Sequence, residues 1–121
     1  MKLSKNNIIN LEDFRTTGAK IFTGRDRGKS VRIDSNINSI EEKFDSVIII
    51  IPENIYSIIP SFLEEFLHDV VMKLGREGFM SKFTIKSEGN YNPDRALNEA
   101  IERILRNKTA IEWYFVAKKQ N

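Results

Sequence analysis

Residues 47–74 begin with the apolar run Val47-Ile48-Ile49-Ile50-Ile51 and continue, after a short loop, into Ser61-Phe62-Leu63-Glu64-Glu65. Five consecutive β-branched residues leave no polar face, which is typical of a parallel strand covered on both sides. The following segment predicts an amphipathic helix, because its apolar side chains recur at helical spacing. They are Phe62, Leu63, Phe66, Leu67, Val70, Val71 and Leu74. A buried strand followed by such a helix predicts an α/β fold.

The start of this helix carries a capping-box pattern, because Ser61 is followed three residues later by Glu64. In a capping box the serine oxygen accepts a hydrogen bond from a first-turn amide, and the glutamate accepts one from the amide of the serine. We therefore expect Ser61 to be the N-cap, with a contribution of about 1 kcal/mol to stability. We expect the helix to end at Gly75.

The first part of the chain predicts a strand over residues 19–23, ended by a turn over residues 24–28. Val31-Arg32-Ile33 alone would fit a second strand that pairs back across this turn. Apolar residues recur there at helical intervals, however, and favour a helix. They are Ile33, Ile37, Ile40 and Phe44. Residues 8–14 fit either a strand or a helix.

The last part of the chain predicts a strand, a helix and a final strand. The first strand passes through Phe83 and Ile85, and Asn92-Pro93-Asp94 begins the helix, because proline is favoured in a first helical turn. The apolar face of this helix consists of Ala96, Leu97, Ala100, Ile101, Ile104 and Leu105. Apolar residues then alternate at Ile111, Trp113 and Phe115, so we expect residues 109–116 to form the final strand.

The composition is that of one ordinary globular domain. The chain has 121 residues, of which 40% are hydrophobic and 30% charged, enough for one modest core over residues 1–121. It contains no cysteine, which excludes disulfides, thiol catalysis and thiolate metal sites. No apolar run is long enough to span a bilayer, and residues 1–7 lead into no signal-peptide core. We expect a cytoplasmic protein without membrane contact.

The segment Pro60–Phe66, preceded by the apolar strand and followed later by Phe83–Ser87, resembles the STAS-like domains, which are relatives of the anti-sigma-factor antagonists. Residues 23–32 also resemble the stretch before the first helix of that family, and the resemblance covers roughly residues 18–105. It implies a small STAS-like sheet of about four to five strands with three helices. It further implies a non-enzymatic regulatory module that binds a kinase-type ATPase of the anti-sigma class.

The same resemblance implies that Ser61 is a phosphoacceptor, because related antagonists are switched by phosphorylation of a serine at this strand-to-helix junction. A phosphate there would add charge against an acidic partner surface. The chain departs from the family pattern at the end of the strand, where Ile51 and Pro52 stand in place of an acidic residue. It departs again at Phe62, where the better-known antagonists have glycine.

The loop before Ser61 carries more apolar residues than a connection needs, which is typical of a contact patch. We expect the partner-binding surface to include this loop and the first helical turns. Its candidate residues are Ile55, Tyr56, Ser57, Ile58, Ser61, Glu64 and Glu65. The alternative is that the apolar side chains of the loop simply seat it on the core.

The run Thr23-Gly24-Arg25-Asp26-Arg27-Gly28-Lys29-Ser30 is close to a phosphate-binding loop, but Thr23 occupies the position of its first glycine. We therefore interpret it as a turn with exposed basic side chains. An anion-binding site could use Arg25, Arg27, Lys29 and Arg32. This alternative function is the binding of a nucleic acid or nucleotide through the phosphates.

No catalytic residue, metal site or cofactor site is predicted. His68 is the only histidine, and one imidazole among carboxylates makes a poor transition-metal site. No Gly-x-Ser-x-Gly motif is present. We therefore expect a protein that is not an enzyme. A third alternative is a small inhibitor from a mobile element that blocks a host complex through its surface charge.

Overall fold

The structure is a computed structural model that describes residues 7–119. Within these residues the chain forms five strands and five α-helices in mixed α/β order. The strands are β1 (Ile8–Asn10), β2 (Ile21–Phe22), β3 (Val47–Ile51), β4 (Ser57–Ile58) and β5 (Phe83–Ser87). The helices are α1 (Arg25–Ser35), α2 (Ile37–Lys43), α3 (Pro60–Phe66), α4 (His68–Lys82) and α5 (Asp94–Lys119). A short 3-10 helix, Leu11–Phe14, follows β1.

The five strands form two parallel sheets. The larger sheet has the order β1-β3-β5, and the smaller one pairs β2 with β4. The prediction that residues 47–51 form a central parallel strand is confirmed. The expected single sheet of four to five strands with three helices is wrong in its counts. The small sheet stays short because Gly24, at φ 96°, turns the chain after β2, and Pro60 has no amide to extend a ladder beyond β4.

One face of the larger sheet forms the core with the helices. Val47, Ile49 and Ile51 are buried, and Ile49 and Ile51 lie next to Leu63 and Phe66 of α3. The apolar helix faces predicted over residues 62–74 and 96–105 are confirmed: all their members are buried except Leu74 and Leu105, which are half-buried. The face predicted from Ile33 to Phe44 is not, because Ile33 is 71% exposed and only Ile37 is fully buried. Burial of these side chains is the main source of stability, at about 1.5–3 kcal/mol for each large one.

The opposite face of the larger sheet is only partly covered. Ile48 and Ile50 are half-buried, and their register partners on β5, Thr84 and Lys86, are exposed. On the same face, Ile8 of the other neighbouring strand, β1, pairs with Ile48 and is also half-buried. The expected cover on both sides of β3 is therefore complete on one face only.

Three backbone breaks divide the helical segments. Asn36, at φ 61°, separates α1 from α2, so the predicted helix through Ile33 and Phe44 is interrupted. The predicted turn over residues 24–28 is wrong, because α1 already begins at Arg25. Leu67 separates α3 from α4. Gly75 has the non-helical values φ 73° and ψ 178°, so the predicted break is present, although the helix resumes after it. Glycine adopts this positive φ without steric cost.

The predicted strand over residues 109–116 is wrong, because α5 continues without a break to Lys119. No glycine or proline interrupts this stretch, and Ile111 and Phe115 are also four residues apart, which suits a helix. Within residues 7–119, no helix has both the length and the apolar character that a membrane crossing requires.

Candidate functional site

Helix α3 begins one residue earlier than its sequence suggests. Ile59 is the N-cap, Pro60 is the first helical residue, and no side chain caps this end. The prediction that Ser61 and Glu64 form a capping box is therefore wrong. Proline fixes φ near its helical value and lacks an amide that would need a partner, so it favours the first helical position. Ser61 is consequently a half-buried residue inside the first turn.

Glu64 bonds across to α1 instead of back to the start of its own helix. Its Oε1 accepts a hydrogen bond from Arg25 at 2.7 Å, and its side chain is only 7% exposed. Its Oε2 is buried without a hydrogen-bond partner. The hydrogen bond with Glu64 raises the pKa of Arg25 above its ordinary value. Arg25 also lies 3.4 Å from Glu65, so one exposed guanidinium holds two carboxylates of α3.

Arg32, two turns further along α1, continues this contact. Its guanidinium donates to the backbone carbonyl of Glu65 at 2.7 Å and lies 3.8 Å from Asp69. Asp69 accepts a hydrogen bond from Asn38 at 2.8 Å and lies 2.9 Å from the ring of His68. The hydrogen bond with His68 is the largest of the effects that lower the pKa of Asp69. We call Arg25, Arg32, Glu64, Glu65 and Asp69, the last of which is at the start of α4, the α1–α3 charge network.

Gly28 lies between the two arginines and allows α1 to approach α3 closely. A Cβ at this position would overlap the carbonyl oxygen of Phe62 and would lie 2.9 Å from the Cβ of Glu65. Gly28, Lys29 and Ser30 are all inside α1, whereas a phosphate loop places its glycines before the helix. The resemblance of this segment to a phosphate loop therefore does not extend to its structure.

Three of the four candidate anion-binding residues share one side of α1, and the fourth does not. Arg25 and Arg32 face α3 and the start of α4, where the carboxylates of these two helices pair with them. Arg27 projects elsewhere and donates to the carbonyl of Phe14. Lys29 is exposed and lies between Arg25 and Arg32 along the helix. This arrangement gives Arg25 and Arg32 a structural role in joining α1 to α3.

The candidate partner-binding loop is divided between core and surface. Ile55 and Ile58 are 5% and 1% exposed and belong to the core. Tyr56 is 70% exposed, and its amide donates to the carbonyl of Lys20 at 2.8 Å. The ammonium group of Lys20 lies 5.2 Å from the centre of the Tyr56 ring. Ser57 is half-buried.

Two further apolar side chains are exposed in this part of the chain, one on β2 and one directly after β4. Ile59 is 37% exposed and its amide donates to the carbonyl of Phe22, and Ile21 is 47% exposed and pairs with Ser57. We call Ile21, Tyr56 and Ile59 the docking patch. Ile21 is not among the residues predicted from the sequence, although a two-residue strand with one buried side chain must point the other one outward.

A second charge cluster, which sequence analysis also missed, joins α2 to α4. Glu41 is 3% exposed and accepts hydrogen bonds from Lys73 at 2.7 Å and from Lys82 at 2.8 Å. Lys82 also donates to the backbone carbonyl of Glu41 at 2.6 Å. Burial alone would raise the pKa of Glu41, but the hydrogen bonds from the two lysines outweigh it and lower the pKa.

Among residues 7–119, no group of three or more histidine, aspartate or glutamate side chains is placed to hold a metal ion. Comparison of the chain with protein-family models, with curated proteins and with solved structures gives no significant match.

Proposed function

We propose that this chain is a regulatory module that binds another protein through the docking patch and the first turn of α3. The observation that carries the proposal is the exposure of Ile21 on β2 and of Tyr56 and Ile59 at the two ends of β4. Exposed apolar side chains are common singly, but a group of them marks an interaction site. Tyrosine is also among the residues that dominate binding energy in protein interfaces.

The loop that carries Tyr56 is anchored in the core by buried side chains, which favours binding without rearrangement. Ile55 and Ile58 anchor the loop in the core on either side of Tyr56. The α1–α3 charge network holds α3 beside it, through Arg25 and Glu64. A preformed surface loses less conformational entropy on binding than a flexible loop does.

The partner that we propose is a kinase-type ATPase of the anti-sigma class, and this part rests on the resemblance of residues 60–66 to the STAS-like domains. Ser61 lies in the first turn of α3, two residues after Ile59. A phosphate at Ser61 would place negative charge beside the patch, where it would repel an acidic partner surface. Regulation of binding through this residue is part of the proposal.

The structure favours this function over nucleic-acid binding. Glu64, Glu65 and Asp69 neutralise the two arginines that face α3, so the basic segment presents less free charge than its sequence indicates. Affinity for a phosphate backbone depends on unpaired cations that displace counterions.

The test is a binding measurement with a partner captured by cross-linking in the native cell and then purified. The double variant Tyr56→Ser/Ile59→Ser should weaken its affinity by more than about tenfold, because it removes the central apolar contacts. Ile33→Ser is the matched control, since Ile33 is 71% exposed but lies on α1, outside the patch. Equal affinity of the double variant and wild type would overturn the proposal.

A further inference from the structure

A cavity of about 290 Å³ lies beside β2 and the start of α1. Its lining comes from the chain between the 3-10 helix and β2, from β2 itself and from the first turn of α1. The charged residues that line it are Arg15 and Arg27, and no carboxylate of the described chain is among the lining residues. The cavity is therefore separate from the α1–α3 charge network, in which carboxylates surround the arginines.

The two arginines of the cavity are positioned by backbone carbonyls. Arg27 donates to the carbonyl of Phe14, the residue directly before Arg15. Arg15 donates to the carbonyl of Glu53 at 3.1 Å and lies 3.2 Å from the carboxylate of Glu12. The side chain of Arg15 is only 20% exposed. Both guanidinium groups are thus held before any ligand arrives, which lowers the conformational entropy lost on binding.

The positive charge of Arg27 is not neutralised by a neighbouring carboxylate. Among the ion pairs of residues 7–119, Arg25 and Arg32 have acidic partners, whereas Arg27 has none. Its hydrogen bond to Phe14 uses only part of the donor capacity of a guanidinium group. Guanidinium groups with remaining donors bind carboxylates and phosphates, often through two parallel hydrogen bonds.

The rest of the lining favours an organic anion over a bare ion. Ala19, Ile21 and Phe22 contribute apolar surface to the cavity, and Ile21 is 47% exposed. Small-molecule sites typically combine an apolar lining with a few polar groups that fix the orientation of the ligand. The volume equals that of roughly ten water molecules, which is enough for an anionic group and a small apolar group together.

We propose that this cavity binds a small organic phosphate monoester. Its phosphate lies between Arg15 and Arg27, and its apolar group lies against Ile21. A phosphate monoester offers more acceptor oxygens than a carboxylate does, so it can accept hydrogen bonds from both guanidinium groups at once. This inference does not depend on the proposed function, although Ile21 also belongs to the docking patch.

The first measurement is calorimetric titration of the full chain with phenyl phosphate, which has an apolar ring of suitable size. We expect one bound molecule per chain, with a dissociation constant below about 1 mM at low ionic strength. Inorganic phosphate, which lacks the ring, should bind more weakly, and phenol, which lacks the charge, should not bind measurably. A weaker dissociation constant for phenyl phosphate, or inorganic phosphate that binds as tightly, would overturn the inference.

Variants of Arg27 test whether the phosphate is held in this cavity. Arg27→Gln should weaken phenyl phosphate binding by more than about tenfold, because it removes a charged hydrogen-bond donor. Arg27→Lys keeps the charge but loses the planar fork, so it should also bind more weakly. Arg106→Gln is the matched control, since Arg106 is exposed on α5, outside the cavity, and its loss changes the net charge equally. Wild-type affinity in Arg27→Gln, or an equal loss in the control, would overturn the inference.

The variant Ile21→Ala tests the apolar wall independently of the arginines. It should weaken phenyl phosphate binding by more than about threefold, because buried methylene groups are lost from the contact. It should leave the binding of inorganic phosphate unchanged, since that ion does not reach the wall. Circular dichroism checks that each variant is folded, and Ile21→Ala remains decisive if Arg27→Gln does not fold. Unchanged phenyl phosphate affinity in Ile21→Ala would overturn the placement of the ligand in this cavity.

Discussion

Two carboxylates, Glu41 and Glu64, are buried at 3% and 5% exposure, and each is held by a cation from another helix. Burial of a charge is costly unless the charge is paired and hydrogen-bonded. Arg25 pairs with Glu64 and joins α1 to α3, whereas Lys73 and Lys82 pair with Glu41 and join α2 to α4. These ion pairs therefore help to fix the position of α1 against α3 and of α2 against α4.

The Glu41 cluster gives the first prediction. Glu41→Gln keeps the shape of the side chain but removes the charge that Lys73 and Lys82 contact. We expect the free energy of unfolding at pH 7, measured with urea, to fall by about 2–3 kcal/mol, the usual loss for hydrogen bonds to a charged group. The matched control is Glu42→Gln, because the Glu42 side chain is 69% exposed and lies 4.0 Å from Lys73. The control should change stability by less than about 0.5 kcal/mol.

The pH dependence of this effect has a definite sign. The pKa of Glu41 is lower in the folded protein than its ordinary value of 4.5. A group with a lowered folded pKa stabilises the protein above its unfolded pKa, and that contribution is lost as the pH falls through the folded value. The stability difference between wild type and Glu41→Gln should therefore be constant near neutral pH and shrink below pH 4.5. A difference that persists unchanged in acid would contradict the paired state of Glu41.

At the scale of an element, the start of α3 shows why a local sequence pattern can predict the wrong N-cap. Ser61 and Glu64 have the spacing of a capping box, but Pro60 takes the first helical position and moves the N-cap to Ile59. We therefore expect Ser61→Ala to change the free energy of unfolding by less than about 0.5 kcal/mol, where a true cap would lose about 1 kcal/mol. Thermal and urea unfolding measure this difference.

The start of α5 supplies the control for that prediction. Asn92 accepts a hydrogen bond from the amide of Asp94 at 2.9 Å through its side-chain oxygen. Asn92→Ala should therefore cost about 1 kcal/mol under the same conditions. A loss of that size for Ser61→Ala as well would mean that Ser61 does cap α3.

The elements that could be predicted are those with an unambiguous apolar pattern. Val47–Ile51 has no polar position, so only a strand inside a sheet suits it, and the structure places it at the centre. Ile111, Trp113 and Phe115 alternate over five residues only, and this pattern is too short to distinguish a strand from a helix that continues α5.

The candidate site was less predictable because it depends on contacts between distant residues. Arg25 and Glu64 are 39 residues apart, and their separate sequence patterns indicated a free basic segment and a helix cap. Only the packing of α1 on α3, which Gly28 permits, brings them together. Tyr56 is exposed, as its predicted role in a contact patch requires, whereas Ile21 comes from a strand too short to show a pattern.

At the scale of the molecule, the two sheets share one core. The ring of Phe22 on β2 lies 5.2 Å from that of Phe62 on α3. Ile58 on β4 lies beside Ile49 of the larger sheet, and Tyr91 donates a hydrogen bond to the Ile58 carbonyl at 3.3 Å. We therefore expect the domain to unfold as one cooperative unit, although its strands form two separate ladders.

The variant Ile58→Ala tests whether the two sheets share one core. Ile58 is 1% exposed, so its truncation leaves a cavity and should lower the free energy of unfolding by about 2–5 kcal/mol. Because the core is shared, amide hydrogen exchange in β3 should accelerate by the same free energy as in the small sheet. Ile21→Ala is the control on the partner strand, where the exposed side chain should cost less than about 1 kcal/mol. Faster exchange confined to β2 and β4, with unchanged protection in β3, would show that the small sheet opens independently and that the core is divided.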